Sequence, residues 1–291
     1  MNAEQTIAWR VRPAGPTARV ALADPARLTT DEPSTARRTR HVGLLRKGSW
    51  VLPILSFLAL WEFVSQTGVV EKSLLTPPTQ VAPTVIEVFT DGEAFTDLRT
   101  SLGRAALGFG IASTGGIVVG LAIGWISWLR RFVSPIAELF RQLPPLALLP
   151  VFVLLFGLGI KSQVAMVAWA VVWPVLLSTV SGAASIDPRL IKAARSLGSS
   201  GVNLFTRVAF PGAIPSIMTG LRLGASYALL VLVSAEMIGA NSGIGYRIME
   251  TSNTFRIPQM YAYIVILAVL GVALNYTLLW LNRRLFPWMS Q

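Results

Sequence analysis

Long apolar runs recur between residues 50 and 281, and they restrict the fold of this chain more than any other feature. A helix needs about 20 apolar residues to cross the hydrocarbon core of a bilayer. Charged residues are scarce, at 13% of the chain, against about 25% in soluble domains. The sequence therefore predicts an all-α membrane protein with about six transmembrane helices, over the runs Trp50–Gln66, Leu102–Trp128, Pro135–Phe156, Val164–Ser181, Ile214–Ile238 and Tyr261–Leu281.

The N-terminal segment differs sharply from the rest of the chain. Its first 49 residues hold nine of the 25 basic residues, with Pro, Thr and Ala and little apolar bulk. We interpret residues 1–48 as a disordered cytoplasmic tail and residues 49–291 as the transmembrane domain. A basic run can also bind nucleic acid. Anionic lipid and membrane topology explain the charge more simply, so we predict no nucleic-acid partner.

Cysteine and histidine are nearly absent. The chain has no cysteine, and its single histidine is His41 in the tail. This excludes disulfides, thiol catalysis, cysteine metal sites and histidine-dependent triads. We therefore predict no metal site and no catalytic residue. An integral membrane enzyme would need a nucleophile–base pair or a metal cluster, and few candidate residues remain for either.

Basic residues also mark one side of the predicted membrane domain. Cytoplasmic loops carry an excess of Lys and Arg, which places both termini inside the cell. The opposite side carries more acidic residues, among them Glu71, Asp91, Glu93 and Asp97. The cytoplasmic connections then hold Arg130, Arg131, Arg189, Lys192, Arg195, Arg207, Arg283 and Arg284.

The segment Asp187–Gly198 is predicted to form a short amphipathic helix under the membrane. Asp187 suits the N-cap and Pro188 the first helical turn, and Gly198 can end the helix. At about 100° per residue, its apolar side chains share one face and its basic ones form a separate stripe. This helix can pack on lipid or dock a soluble partner. The two sets are Leu190, Ile191, Ala194 and Leu197, and Arg189, Lys192 and Arg195.

Small residues recur at every fourth position of the second predicted span, at Gly116, Gly120 and Gly124. Small residues let helix backbones approach closely in lipid. We expect them to pack against a helix of the same chain, with a subunit interface as the alternative.

Charged residues and prolines within the spans give candidates for a translocation path. Arg222 and Glu236 both lie in the fifth span, and charges there suggest function, although both can also snorkel or cap neighbouring helices. In the third span, Gln142 precedes Pro144 and Pro145. Prolines break regular helix, and irregular backbone in a membrane can line a cavity. A simple kink, or a split into two short helices, is the other interpretation.

The chain lacks the phosphate-binding sequence GxxxxGK[ST]. A phosphate-binding loop requires a glycine directly before its lysine. Phe156–Ser162 reads FGLGIKS and has Ile160 at that position, before Lys161. We therefore expect no cofactor on this chain, with ATP and Mg²⁺ bound by a partner ATPase.

One segment resembles a known signature. The cytoplasmic "EAA" loop of membrane subunits in binding-protein-dependent ABC importers reads Glu-Ala-Ala, three residues, Gly, nine residues, Ile-x-Leu-Pro. Lys192 stands where this family usually has Glu. The matching positions are Ala193, Ala194, Gly198, Val208, Phe210 and Pro211.

Further motifs are similar to one branch of that family, the permeases for nitrate, sulfonate, taurine and bicarbonate. Relatives of the branch carry vitamins or thiamine precursors. The likeness runs from about Leu75 to Trp288. It includes LRTSLGR at Leu98–Arg104, RQLPPLALLPVFVLLFGLGIKS at Arg141–Ser162, GLRLG at Gly220–Gly224 and SAEMIGANSGIGY at Ser234–Tyr246.

The resemblance implies a type I importer permease in a prokaryotic inner or plasma membrane. Two permease copies would form the path, two cytoplasmic ATPases would receive the helices at Asp187–Gly198, and an external solute-binding protein would deliver a small anionic solute. A vitamin or thiamine-precursor permease is the alternative. An ion-gradient secondary transporter is a further alternative, and it would need internal ion sites or inverted repeats. The sequence has one intramembrane carboxylate that could serve an ion site, and it has no clear repeat.

Overall fold

The computed structural model describes residues 51–68, 71 and 74–285. The chain divides into two compact units, residues 1–55 and 56–291, and of the first only the beginning of helix α1 is described. The predicted tail, residues 1–48, lies outside the described residues. Those described contain no strand. The helices are α1 (Val51–Thr67), α2 (Pro78–Thr90), α3 (Glu93–Trp125), α4 (Ser127–Gln142), α5 (Leu149–Phe156), α6 (Ile160–Ala184), α7 (Pro188–Ser196), α8 (Gly201–Leu204), α9 (Phe210–Gly239), α10 (Ile244–Asn253) and α11 (Ile257–Leu285).

Four described helices are long and apolar enough to span a membrane: α3, α6, α9 with the residues leading into it, and α11. They begin and end within several residues of the predicted runs, except that α3 begins at Glu93 rather than Leu102. Helices α4 and α5 meet the same criterion only as a pair, and α1 is shorter. The predicted count of six is reached only when α1 and the pair are each counted as one span.

The third predicted span, Pro135–Phe156, is not one continuous helix. Helix α4 ends at Gln142, a 3-10 turn occupies Pro145–Leu148, and the two arms are bent by 87°. Leu143 and Pro144 are extended, with ψ of 122° and 121°. Proline lacks an N–H and drives the residue before it out of the helical region. Two consecutive prolines therefore break the span.

Helix α6 lies at the centre of the bundle, with α3 on one side and α9 on the other. Val167, Val171 and Val175 of α6 are fully buried, and Ala112 of α3 and Leu232 of α9 complete the same apolar cluster. The core of the membrane domain is therefore the three-helix layer α3–α6–α9.

Glycines permit this close packing. The structure places Gly116, Gly120 and Gly124 of α3 against α6 of the same chain. A Cβ atom on Gly120 would lie 2.8 Å from the Cβ of Thr179, and one on Gly124 would lie 2.6 Å from that of Ala183. Both distances are shorter than van der Waals contact, so a larger residue would force the helices apart.

Gly120→Val is expected to destabilise the bundle, by about 1–3 kcal/mol, because a packed core resists added volume. Gly115→Val is the matched control, since it makes the same change in the same helix where no atom lies within 4 Å. Thermal unfolding of the purified protein in detergent would measure both. Equal melting temperatures for the two variants would contradict the packing of α3 on α6.

Candidate functional site

Helix α7 has a complete cap at each end. At its N-terminus, Asp187 Oδ1 accepts a hydrogen bond from the backbone N–H of Arg189, at 2.8 Å, and Pro188 is the first helical residue. Because Pro188 has no N–H, it leaves one fewer donor to satisfy. The helix therefore begins where the Asp-Pro pair predicts.

The C-terminus of α7 is closed by Gly198. Its φ is +84°, a conformation that glycine adopts without steric cost. The N–H groups of Gly198 and Ser199 donate to the carbonyls of Arg195 and Ala194, at 3.0 and 2.9 Å. These are the two bonds of a Schellman motif. The helix predicted over Asp187–Gly198 is thus present, with its two end residues as caps.

Most of helix α7 is exposed. The structure describes every residue of α7, and none of them is buried. Leu190 and Leu197, which flank the helix's apolar side, are 58% and 87% exposed, while Ile191 and Ala194 are half-buried. Exposed apolar side chains rimmed by charge are typical of an interaction surface. The basic stripe (Arg189, Lys192 and Arg195) and the adjacent motif residue Ala193 are also exposed.

The segment that follows α7 leads directly into a long membrane helix. A π-helical turn at Phe205–Ala209 joins the short helix α8 to α9. Pro211 lies in the first turn of α9, where a missing N–H is tolerated. Residues 197–200, helix α8 and the π-helical turn therefore connect α7 to α9.

The break between α4 and α5 lies beside a large cavity that α4, α6 and α9 line. It has a volume of about 580 Å³. Gln142 and Pro145 line it, whereas Pro144 lies in the break and does not. The cavity extends along α6 from Trp169 to Ser181, which is about 18 Å of helix. Its other lining residues are Glu138, Arg141, Leu143, Ala170, Trp173, Pro174, Leu177, Ser178, Ser216, Thr219, Leu223 and Tyr227.

One ion pair faces this cavity. Arg141 pairs with Glu138 one turn earlier in α4, and its Nε donates to Glu138 Oε2 at 3.1 Å. Both side chains are about half exposed, at 44% and 48%. Trp169 and Trp173 of α6 also line the cavity, and their rings pack edge to face, with centroids 5.0 Å apart. The cavity thus combines a cation, a carboxylate and an aromatic wall.

The two charged residues predicted in the fifth span lie elsewhere. Arg222 lines a separate, smaller cavity between α9 and α11. Glu236 is fully buried inside the protomer, where its carboxylate accepts hydrogen bonds from Ser101 Oγ, Arg104 and the N–H of Gly245. Neither side chain lines the large cavity, so the prediction that they belong to the path rests on the sequence pattern alone.

Glu236 is part of a buried polar cluster that sequence reasoning did not assemble. Asp97, Ser101 and Arg104 lie on one face of α3, and all three bond to the segment Ser242–Gly245 that leads into α10. The Arg104–Glu236 pair is 2.8 Å long and at most 5% exposed. The cluster fixes the end of α9 and the start of α10 to α3.

Arg247 extends the cluster towards the surface. Its Nε donates to Asp97 Oδ2 at 2.7 Å and its Nη1 to Glu250 at 2.9 Å. Burial lowers the pKa of Arg247, but the hydrogen bonds to Asp97 and Glu250 and the negative charges of Asp97 and Glu93 outweigh burial, so the pKa of Arg247 is raised. The spacing of Asp97, Ser101 and Arg104, at i, i+4 and i+7, is the sequence signal that indicates a shared polar face.

The chain is similar in sequence to known transport proteins. It is 35% identical over 239 residues to the taurine transport system permease protein TauC of Escherichia coli (strain K12), covering 80% of this chain and 87% of that protein. It is 32% identical over 233 residues to the putative aliphatic sulfonates transport permease protein SsuC of Bacillus subtilis (strain 168), covering 80% and 84%.

The fold is also found in a solved structure, the crystal structure of an amino acid ABC transporter with histidines. The TM-score is 0.58 at 21% identity, over 69% of this chain and 98% of that one. Residues 112–291 match the family described as binding-protein-dependent transport system inner membrane component. The family match and these relatives show that the chain belongs to this family, and its apolar spans and capped loop helix agree with that. The chain is a membrane-spanning permease subunit of an ABC importer.

Proposed function

We propose that this permease imports a small sulfonate, with taurine or an aliphatic sulfonate as the cargo class. The single observation that carries the proposal is the pair Arg141–Glu138 in the large cavity, which Trp169 and Trp173 also line. A guanidinium binds oxyanions through paired N–H groups. The aromatic wall suits the short hydrocarbon part of an alkyl sulfonate.

The carboxylate beside Arg141 favours a zwitterion within this class. Taurine carries a sulfonate and an ammonium group, which can replace the two partners of the ion pair at once. A simple alkyl sulfonate offers an oxyanion to Arg141 but leaves Glu138 unpaired. The names of the relatives support the same class, since they include a taurine permease and a putative sulfonate permease.

The energy for import would come from partner subunits. Two cytoplasmic ATPases would bind ATP and Mg²⁺, and this chain would bind neither, because it lacks a phosphate-binding loop. Each ATPase would receive one α7 helix, whose apolar side and basic stripe are exposed. This assignment requires α7 and both termini to be cytoplasmic, as the distribution of basic residues predicts.

A second copy of this chain would complete the path, and an external solute-binding protein would load it. Closure of the ATPases on ATP would move α7 and, through the π-helical turn, the end of α9. Rocking of α9 against α6 would then open the cavity to the outside, and hydrolysis would reset it. This is alternating access with no chemistry on the cargo.

Arg141→Gln is expected to lower the import of both taurine and ethanesulfonate, by about tenfold or more, because the oxyanion loses a charged donor worth about 1.5–3 kcal/mol. Glu138→Gln should lower taurine import more than ethanesulfonate import. Uptake by vesicles containing the complete importer and its solute-binding protein measures both. Arg131→Gln, an exposed arginine on the same helix that does not line the cavity, is the control.

Three results would contradict the proposal. Unchanged uptake in Arg141→Gln would show that this cavity does not lie on the translocation path. Equal losses of both solutes in Glu138→Gln would remove the preference for a zwitterion. Uptake that survives ATP depletion and follows a proton gradient would indicate a secondary transporter.

A further inference from the structure

Arg222 lacks a counter-charge in the part of the chain that the structure describes. Its side chain forms no ion pair and no hydrogen bond there. The side-chain hydroxyl of Ser226 donates to the backbone carbonyl of Arg222, at 3.3 Å, and so does not pair with the guanidinium. A cation within a membrane-spanning helix is costly unless it is paired or reaches water. Because Arg222 is only partly buried, a group outside the described residues can reach it and supply this counter-charge.

The surroundings of Arg222 contain a second unsatisfied polar group. Arg222 lines a cavity of about 140 Å³ between α9 and α11, and Asn282 of α11 lines it too. The Oδ1 atom of Asn282 is buried and has no hydrogen-bond partner among the described residues. A buried acceptor left unpaired costs free energy. The cavity is therefore lined by a cation and by a residue with an unpaired acceptor, and its apolar walls are Phe109, Met218, Leu221, Leu278 and Leu281.

An apolar groove continues from this cavity. Leu278 lines both the small cavity and a larger one of about 460 Å³ between the same two helices. From Arg222 to Ser234, at the far end of the larger cavity, α9 rises about 18 Å. Half of the hydrocarbon core is about 15 Å thick. The groove therefore has the length of one acyl chain in one leaflet, and its walls include Ala225, Leu229, Leu230, Val233, Leu267, Gly271 and Leu274.

Further positive charge lies at the same end of α11. Arg283 and Arg284 follow Asn282 directly and are exposed, and the guanidinium of Arg284 lies 5.3 Å from the Trp280 ring centroid. In the orientation proposed above, this end faces the cytoplasm. The cytoplasmic leaflet is rich in anionic lipid, and basic pockets between transmembrane helices on this side bind lipid headgroups.

We propose that the cleft between α9 and α11 binds one anionic phospholipid of the cytoplasmic leaflet. Its phosphate lies on Arg222, a headgroup hydroxyl donates to Asn282 Oδ1, and one acyl chain fills the groove. Phosphatidylglycerol has the required phosphate and hydroxyl groups. The site rests on the proposed orientation but not on the identity of the cargo. It supplies the missing counter-charge and fastens α11 to α9.

The test is a lipid titration of the purified full chain, delipidated in detergent and measured by native mass spectrometry. Wild type is expected to bind one dioleoylphosphatidylglycerol per chain at least about fivefold more tightly than dioleoylphosphatidylcholine, since each cation near the surface contributes about a fivefold preference. Arg222→Gln should remove this preference. Arg256→Gln, an exposed arginine at the other end of α11, should leave it unchanged.

A second pair of lipids tests the role of Asn282. Wild type is expected to prefer dioleoylphosphatidylglycerol to dioleoylphosphatidic acid, which lacks the headgroup hydroxyls. Asn282→Leu should lose this preference but should still bind both anionic lipids more tightly than phosphatidylcholine. An unchanged ranking of these lipids would remove Asn282 from the site.

Other occupants of the cleft give different results. Wild type with no preference for the anionic lipid overturns the proposal, whether or not Arg222→Gln folds. Displacement of the lipid by millimolar inorganic phosphate indicates a soluble-anion site and also overturns it. A disulfide between two copies carrying Leu274→Cys would place a second copy in the groove, with the same consequence. Each outcome is independent of solute uptake, which tests the proposed function.

Discussion

Ala194→Asp is expected to abolish solute-stimulated ATP hydrolysis and import while the permease still inserts and folds in the membrane. Ala194 lies on the apolar side of α7, between the exposed Leu190 and Leu197. If this side is covered by an ATPase, a carboxylate there becomes a buried, unpaired charge, at a cost of about 3–5 kcal/mol. That corresponds to docking weakened by at least about 100-fold.

The control for this variant is Ser196→Asp. Ser196 lies two residues further along α7, on the opposite side of the helix, and is exposed. It adds the same charge to the same helix, but beside the basic stripe rather than within the predicted apolar contact. Co-purification of the ATPase and stimulated hydrolysis in vesicles give the two readouts. Equal activity in Ala194→Asp and Ser196→Asp would contradict the assignment of α7.

Gly198→Val tests the shape of α7 rather than its surface. A Cβ at Gly198 meets no atom within 4 Å, so the change has no steric effect on neighbours. The φ of +84° is nevertheless unfavourable for valine, at a cost of about 1–2 kcal/mol. Stimulated hydrolysis is expected to fall, by less than in Ala194→Asp, with no loss of membrane insertion.

Glu236→Leu is expected to cause the largest loss of stability. The variant leaves Arg104 buried at 5% exposure without its partner, and it removes the acceptor for the N–H of Gly245. Removing one member of a buried pair costs about 3–5 kcal/mol. The melting temperature of the purified protein in detergent should therefore fall sharply.

Two further variants make the result specific to the buried pair. Glu250→Leu breaks the ion pair with Arg247, whose members are 26% and 36% exposed, and exposed pairs contribute only about 0–1 kcal/mol. It should have little effect. The double variant Arg104→Leu/Glu236→Leu removes both buried charges and should lose less stability than the two single variants added together. Additive losses would mean that the two charges do not interact.

Local patterns in the sequence predicted much of the architecture. The apolar runs located the long helices because a span of the bilayer requires about 20 apolar residues, whatever surrounds it. The caps of α7 were equally readable, since Asp187, Pro188 and Gly198 act on the backbone beside them. The glycines of α3 indicated close packing, although only the structure identifies α6 as the helix they contact.

The features that the sequence could not predict depend on residues distant in the chain. Glu236 is bonded to residues more than 130 positions away, and no local periodicity identifies such partners. The large cavity lies between α4, α6 and α9, so its lining depends on how these helices pack. The prolines at 144 and 145 indicated a break, but the 87° bend follows from the position of α5 against α6.

Site-specific cross-linking of α7 tests the central claim most directly. Because the chain has no cysteine, Arg189→Cys introduces a single thiol on an exposed position of α7. The account predicts that this thiol reacts with a membrane-impermeant reagent only from the cytoplasmic side. It also predicts a cross-link to the ATPase that changes when ATP binds. Reaction from the external side, or protection by lipid with no cross-link to an ATPase, would contradict it.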